Sequence, residues 1–197
     1  MEYYENVINN LEKLLANDSQ EDIDAKRKAG QFEYIPFRVC DFITQITAAR
    51  KMLKGPNYET NYKFIDVGCG IGTKVLLARE YFDAYGIEIT NKYVERARAL
   101  LIASKSSRWS KPNVAELCAK IIEGDALEHD YREYDVVYFY WPIRHSETQV
   151  KLEQHIIRTI KKGGIVIANG FQGGRKLWET VPMQRLYGDN IFVKAWA

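Results

Sequence analysis

Phe64-Ile65-Asp66-Val67 is an apolar run that ends in Gly68-Cys69-Gly70-Ile71-Gly72 and then enters a helical pattern. Alternating glycines after a buried strand let bare backbone approach a ligand at the carboxyl edge of a sheet. Such a turn holds a cofactor or is a plain tight connection. A triphosphate loop needs Gly-Lys-Ser/Thr after a four-residue spacer, whereas Gly72 is followed by Thr73 and Lys74 in the wrong order. The dinucleotide fingerprint wants glycine at the sixth position from Gly68, and that position is Thr73. Glu88 closes the next β-rich run about 20 residues after the turn begins, where a carboxylate accepts both ribose hydroxyl protons and repels a 2′-phosphate. Beyond a third run, Glu123-Gly124-Asp125-Ala126 offers a carboxylate to an adenine amino group and a backbone amide to the ring. Each group alone is also what a solvated strand end looks like. Their joint occurrence after three successive strands is far more specific.

Those residues need a sheet to bring them to one edge. Short β-rich runs at 63–68, 84–89, 120–123, 135–140 and 164–168 alternate with helical patterns at 73–82, 91–104 and 148–161, the texture of βαβ units around a parallel sheet. The runs 183–187 and 191–196 are joined by Gly188, Asp189 and Asn190, a connection so short that it forces an antiparallel hairpin. Upstream, apolar residues at helical spacing predict amphipathic helices over 3–15 and 38–54, the second with Val39, Phe42, Ile43, Ile46 and Met52 or Leu53 on its face. The polar stretch 17–30 between them reads as a loop or a short solvated helix. The fold class is therefore α/β: a doubly wound, mostly parallel sheet of six or seven strands with an antiparallel C-terminal hairpin. Residues 1–57 form an N-terminal helical cap and 58–197 the Rossmann-like domain.

With 46% hydrophobic and 27% charged residues, the 197-residue chain is neither collagen-like nor wholly disordered, and it can bury one core. Cys40, Cys69 and Cys118 are too scattered for a disulfide framework or a zinc knuckle, which makes a reducing cytoplasm the default. The amino terminus does not resemble a signal peptide, and no run reaches the roughly 20 apolar residues of a membrane span. A net charge of +2 gives no electrostatic support for a nucleic-acid partner.

The ordered turn, Glu88 and Asp125 make the chain resemble the class I, seven-strand S-adenosylmethionine-dependent methyltransferases over roughly residues 62–196, and the terminal hairpin is what that fold has and the dinucleotide fold lacks. The resemblance implies that Asp66 and the backbone at Gly68 and Gly70 hold the methionine moiety of S-adenosylmethionine, Glu88 the ribose, and Asp125 with Ala126 the adenine. It also sets Tyr140 and Trp141, at the end of Asp135-Val136-Val137-Tyr138-Phe139-Tyr140-Trp141-Pro142, where the methyl acceptor lies. Aromatic rings there can hold a sulfonium or ammonium by cation–π attraction, of order 0.5 to 2 kcal/mol each. They can equally be strand residues packed under a helix, Tyr138 above all. Nucleic-acid amino-methylating members carry Asn or Asp where this chain has Tyr140, which speaks against an adenine amine.

A narrower similarity is to small seven-strand protein-lysine methyltransferases, in which a Tyr-x-Pro segment precedes the glycine turn and strand four reads Asp-Val-Val-Tyr-hydrophobic-Tyr. Tyr34-Ile35-Pro36 and Asp135 to Tyr140 match, although Phe37 stands where Ser or Thr is usual. Tyr34 then closes over the methionine end of the cofactor or anchors the N-terminal helices. The expected acceptor is an amine on a protein, with a small-molecule N- or O-methyltransferase, a nicotinamide-dependent oxidoreductase and a non-catalytic cofactor sensor or partner subunit as alternatives. Metal is not expected: His129, His145 and His155 lack ligand spacing and read as surface residues. Cys69 needs only a small side chain, and the basic runs at 26–28 and 105–111 read as solvated faces.

Overall fold

The computed structural model describes residues 10, 18–29, 37–53, 61–104, 113–144, 146–169, 183–187 and 190–195. Among the described residues, two helices precede the sheet, α1 (Gln20–Lys28) and α2 (Val39–Met52). Ser19 starts α1 with a capping box: its hydroxyl accepts from Asp22 N at 3.1 Å, and Asp22 Oδ2 accepts from Ser19 N at 3.0 Å. Acidic residues in its first turn and basic ones in its last suit the helix dipole. The helix is not wholly solvated, because Lys26 is buried. On α2 the buried stripe is Phe42, Ile46 and Ala49; Met52 is exposed and Leu53 packs instead. The expected helix over 3–15 lies outside the described residues, as does Tyr34.

The alternating part of the chain folds as β1 (Lys63–Val67), α3 (Thr73–Ala78), β2 (Asp83–Glu88), α4 (Asn91–Ala103), α5 (Val114–Ala119), β3 (Ile121–Glu123), β4 (Val136–Tyr140), α6 (Ser146–Thr159) and β5 (Ile165–Asn169). The hairpin β6 (Met183–Tyr187) and β7 (Ile191–Lys194) completes it. The seven strands pair in the order β3-β2-β1-β4-β5-β7-β6, parallel except where β7 runs against β5 and β6. Boundaries differ from the sequence reading mostly by one or two residues; α3 stops four residues early, because the chain tightens into turns through Arg79 and Tyr81. Helix α5 was not legible, being six residues long and started by the Asn113 side chain, which accepts from Ala115 N at 3.0 Å.

Two apolar layers cover the sheet. Phe64 and Tyr138 face one with Phe42, Val75 and Ala97; Ile65, Val137 and Phe139 face the other with Leu152 and Ile156. That alternation is the period-2 geometry of strands buried on both faces. Strand order reverses between β1 and β4, so the crevice beyond their carboxyl ends is where such a sheet takes a ligand.

The histidines depart from the expected surface positions. His129 is half-buried edge-on against Tyr131 and 3.2 Å from the Tyr134 hydroxyl, and His155 Nε2 donates to the His129 carbonyl at 2.7 Å, so ring packing rather than solvent fixes both. His145 lies outside the described residues. No group that could hold a metal occurs among the described residues.

Candidate functional site

The glycine turn is stitched to β2, with Gly68 N and Cys69 N both donating to Ile87 O at 2.9 and 3.0 Å. Gly70 has φ of +55° and a Cβ there would meet nothing within 4 Å, so the turn keeps an open face over bare backbone. Gly72 does a different job: a Cβ there would come 2.9 Å from that of Ala97, and this glycine takes the close helix approach that the missing sixth-position glycine would otherwise allow. The turn thiol is no nucleophile, since burial pushes Cys69 well above the ordinary range.

Glu88 pins the open face. Its Oε2 accepts from Gly70 N and its Oε1 from Thr90 N, each at 2.9 Å, and each oxygen keeps a lone pair for a further donor. One strand over, Gly124 N donates to Glu88 O at 3.1 Å, which brings Asp125 and Ala126 beside Glu88. Asp125 is exposed and accepts from Leu127 N at 2.9 Å, while Ala126 O accepts from the Tyr131 hydroxyl at 2.8 Å.

Asp66 is 1% exposed at the end of β1, and its Oδ2 takes no hydrogen bond among the described residues. Burial pushes its carboxyl up to about 6, with Lys74 pulling it down and Glu88 pushing it up. Lys74 Nζ stands 3.9 Å from that oxygen and 4.6 Å from the centre of the Phe37 ring.

Phe37 leads into a second space. A cleft of about 340 Å³ opens between α2 and the carboxyl ends of β4 and β5, walled by Phe37, Phe42, Tyr138 and Tyr140. Gln45 and Asn169 face each other in a reciprocal amide pair, Gln45 Nε2 donating to Asn169 Oδ1 at 2.9 Å and Asn169 Nδ2 donating back to Gln45 Oε1 at 3.0 Å. Asn190 Nδ2 adds a bond to Asn169 Oδ1 at 2.8 Å; it is delivered there because Ala168 N holds Asn190 O, also at 2.8 Å. Tyr138 is buried against Phe42 and Phe64, and burial holds its hydroxyl far above the ordinary range despite a hydrogen bond from Asn169. Tyr140 is 37% exposed. Trp141 follows with φ of +42°, rare for a bulky residue, its N donating to Asn169 O at 3.0 Å. The next residue, Pro142, lies against Gly68 so closely that a Cβ on Gly68 would come within 2.7 Å of its ring.

The sequence pattern of a known family, described as a methyltransferase domain, matches residues 58–187. The chain is a class I S-adenosylmethionine-dependent methyltransferase. Among solved structures, this methyltransferase is similar to an RNA methyltransferase from Salinibacter ruber in complex with S-adenosyl-L-homocysteine, at 20% identity and a TM-score of 0.54 over 83% of this chain and 95% of that one. It is also similar to a putative S-adenosyl-L-methionine-dependent methyltransferase from Methanococcus maripaludis, at 13% identity and 0.53 over 79% and 88%. At those identities the likeness concerns the fold. No curated protein matches the chain in sequence. Family membership sets the nicotinamide alternative aside.

The residues fit the cofactor. An orphaned, buried carboxyl oxygen at the lip of an open glycine turn is what a cationic group completes, and Glu88 keeps acceptor capacity beside it. When bound, S-adenosylmethionine supplies a methyl group on a sulfonium centre. Among the described residues of the methyltransferase, no helix is long and apolar enough to cross a membrane.

Sequence reasoning missed the carboxamides and the dock of α1. Gln45 was detectable as a polar residue at helical spacing on an apolar stripe, and Asn169 as the one polar residue closing the run Ile165-Val166-Ile167-Ala168. Lys26 was not: it sits in a charge run, yet it is buried with Asp18 at 2.5 Å, donates to the Tyr93 hydroxyl and lies 3.9 Å over that ring. Tyr93 packs on Ile71 of the glycine turn, so α1 is fastened beside the cofactor turn.

Proposed function

We propose that this methyltransferase places a methyl group on an amine nitrogen, with a protein lysine side chain as the acceptor. In this reading Asp66, Gly68, Gly70 and Tyr34 take the methionine end of the cofactor, Glu88 the ribose, and Asp125 with Ala126 the adenine. Tyr140 and Trp141 line the acceptor side, and Tyr34, outside the described residues, rests on the Tyr-x-Pro similarity. Residues 1–57 act as the cap over this edge of the domain at 58–197.

The observation that carries the reading is the ring-walled cleft joined to Asp66 through Phe37 and Lys74. Rings favour an alkylammonium by cation–π attraction and apolar contact, whereas a net charge of +2 provides no surplus for a polyphosphate backbone. Displacement at a sulfonium methyl asks mainly for alignment and exclusion of water, worth about 7 to 11 kcal/mol when geometry is held. Tyr138 is too weakly acidic to serve as a base and acts here as wall and hydrogen-bond partner.

The test is incubation with methyl-labelled S-adenosylmethionine and a cell lysate separated afterwards into protein, RNA and small-molecule fractions. Label in protein, recovered as methylated lysine, is expected. Label confined to RNA overturns the reading, and binding without transfer in a single turnover makes the chain a sensor.

A further inference from the structure

Three carboxamides, Gln45, Asn169 and Asn190, line the cleft and bond to one another. Asn169 is saturated: its Oδ1 accepts from Gln45 and Asn190, and its Nδ2 donates to Gln45 and to the Tyr138 hydroxyl. In this orientation Asn169 Oδ1 receives both NH2 groups, one from Gln45 and one from Asn190. Among the described residues, the acceptors left for a ligand are one lone pair on Gln45 Oε1 and the side-chain Oδ1 of Asn190. Both residues are half-buried, whereas Asp41 and Tyr140 are exposed on the cleft rim. Asp41 is paired there with Arg38 at 3.3 Å.

We propose that Gln45 and Asn190 hold the acceptor amine by its two N–H bonds, so that the enzyme releases a monomethylated amine. The inference rests on the amine reading above. A neutral primary amine has two N–H donors and one lone pair; with both donors on carboxamide oxygens, the lone pair is left for attack. In each transfer the nitrogen gives one proton to solvent, its lone pair forms the N–C bond, and the C–S electron pair stays on sulfur. The monomethyl product has one N–H left, so its methyl group must face an oxygen that has lost its donor. With the amine seated and water displaced from the two oxygens, leaving one of them unpaired costs enough to slow the next transfer by about tenfold or more, and a second methyl removes the last donor. A site made of rings alone would carry no such limit.

The experiment reads the degree of methylation. Wild-type enzyme, excess labelled S-adenosylmethionine and lysate protein are incubated to completion, the protein is acid-hydrolysed, and mono-, di- and trimethyllysine are separated. Monomethyllysine should dominate. Gln45→Leu and Asn190→Leu, which lie on different elements and put an apolar surface where a methyl group would press, should each raise the di- and trimethyl share. Their S-adenosylhomocysteine affinity, measured by calorimetry, should match wild type within about twofold and show that both variants are folded. Trimethyllysine as the main wild-type product, or no change in product ratio in either folded variant, overturns this inference and leaves the amine reading standing. Absence of label from every lysine sinks the amine reading and this inference together.

Discussion

Asp66 titrates where few carboxylates do, because it is buried with a single distant cation. Its folded value of about 6 lies above the ordinary value of 3.8, so the folded state binds the proton more tightly. Asp66 therefore contributes stability at low pH that is lost as pH rises from about 4 through 6. Cofactor binding should run the other way, since the α-ammonium that both S-adenosylmethionine and S-adenosylhomocysteine carry needs the carboxylate. Affinity for S-adenosylhomocysteine should be about tenfold weaker at pH 5 than at pH 7 by calorimetry, and Asp66→Asn should flatten that slope. Glu88→Ala should cost about 1.5 to 3 kcal/mol of the same affinity, because it removes charge-assisted acceptors and leaves Gly70 N and Thr90 N without their partner. Trp141→Ala should slow transfer far more than it weakens cofactor binding; equal loss of both would make the ring part of the cofactor pocket. Asp66 and Glu88 were legible because chemistry and strand position coincide in one stretch of sequence. Gln45, Asn169 and Asn190 meet only through α2, β5 and the turn into β7, and no local pattern announces a contact between residues so far apart.

The strands and long helices were readable from periodicity, and so was the hairpin from its short connection. What periodicity could not show is how α1 attaches, since Asp18, Lys26 and Tyr93 belong to segments with no common pattern. Burial pushes the Asp18 carboxyl up, and hydrogen bonds from Lys26 and Tyr93 more than reverse it, so it sits below the usual range. The stability it contributes is present above about pH 4 and is lost as pH falls through that lowered value. Lys26→Met takes from Asp18, which is 9% exposed, its shortest partner and leaves it the Tyr93 hydroxyl and the Lys92 ammonium 3.6 Å away, a loss of about 1 to 3 kcal/mol. Urea unfolding should register that loss. Lys28→Met, on the exposed face of the same helix, should stay within about 0.5 kcal/mol of wild type.

At the scale of the molecule, the sheet order gathers Asp66, Gly70, Glu88 and Asp125 along one edge, while β4, β5 and α2 enclose the cleft beside it. Pro142 seated on Gly68 and Lys74 set between Asp66 and Phe37 tie the two spaces together, so the glycine turn and the cleft share one wall. What occupies the glycine turn decides which chemistry the chain performs. Calorimetric titration of the wild-type chain with S-adenosylhomocysteine and, separately, with NAD tests this most directly. Saturable binding of one S-adenosylhomocysteine per chain with no heat from NAD is the predicted result; tight binding of NAD with none of S-adenosylhomocysteine would contradict it.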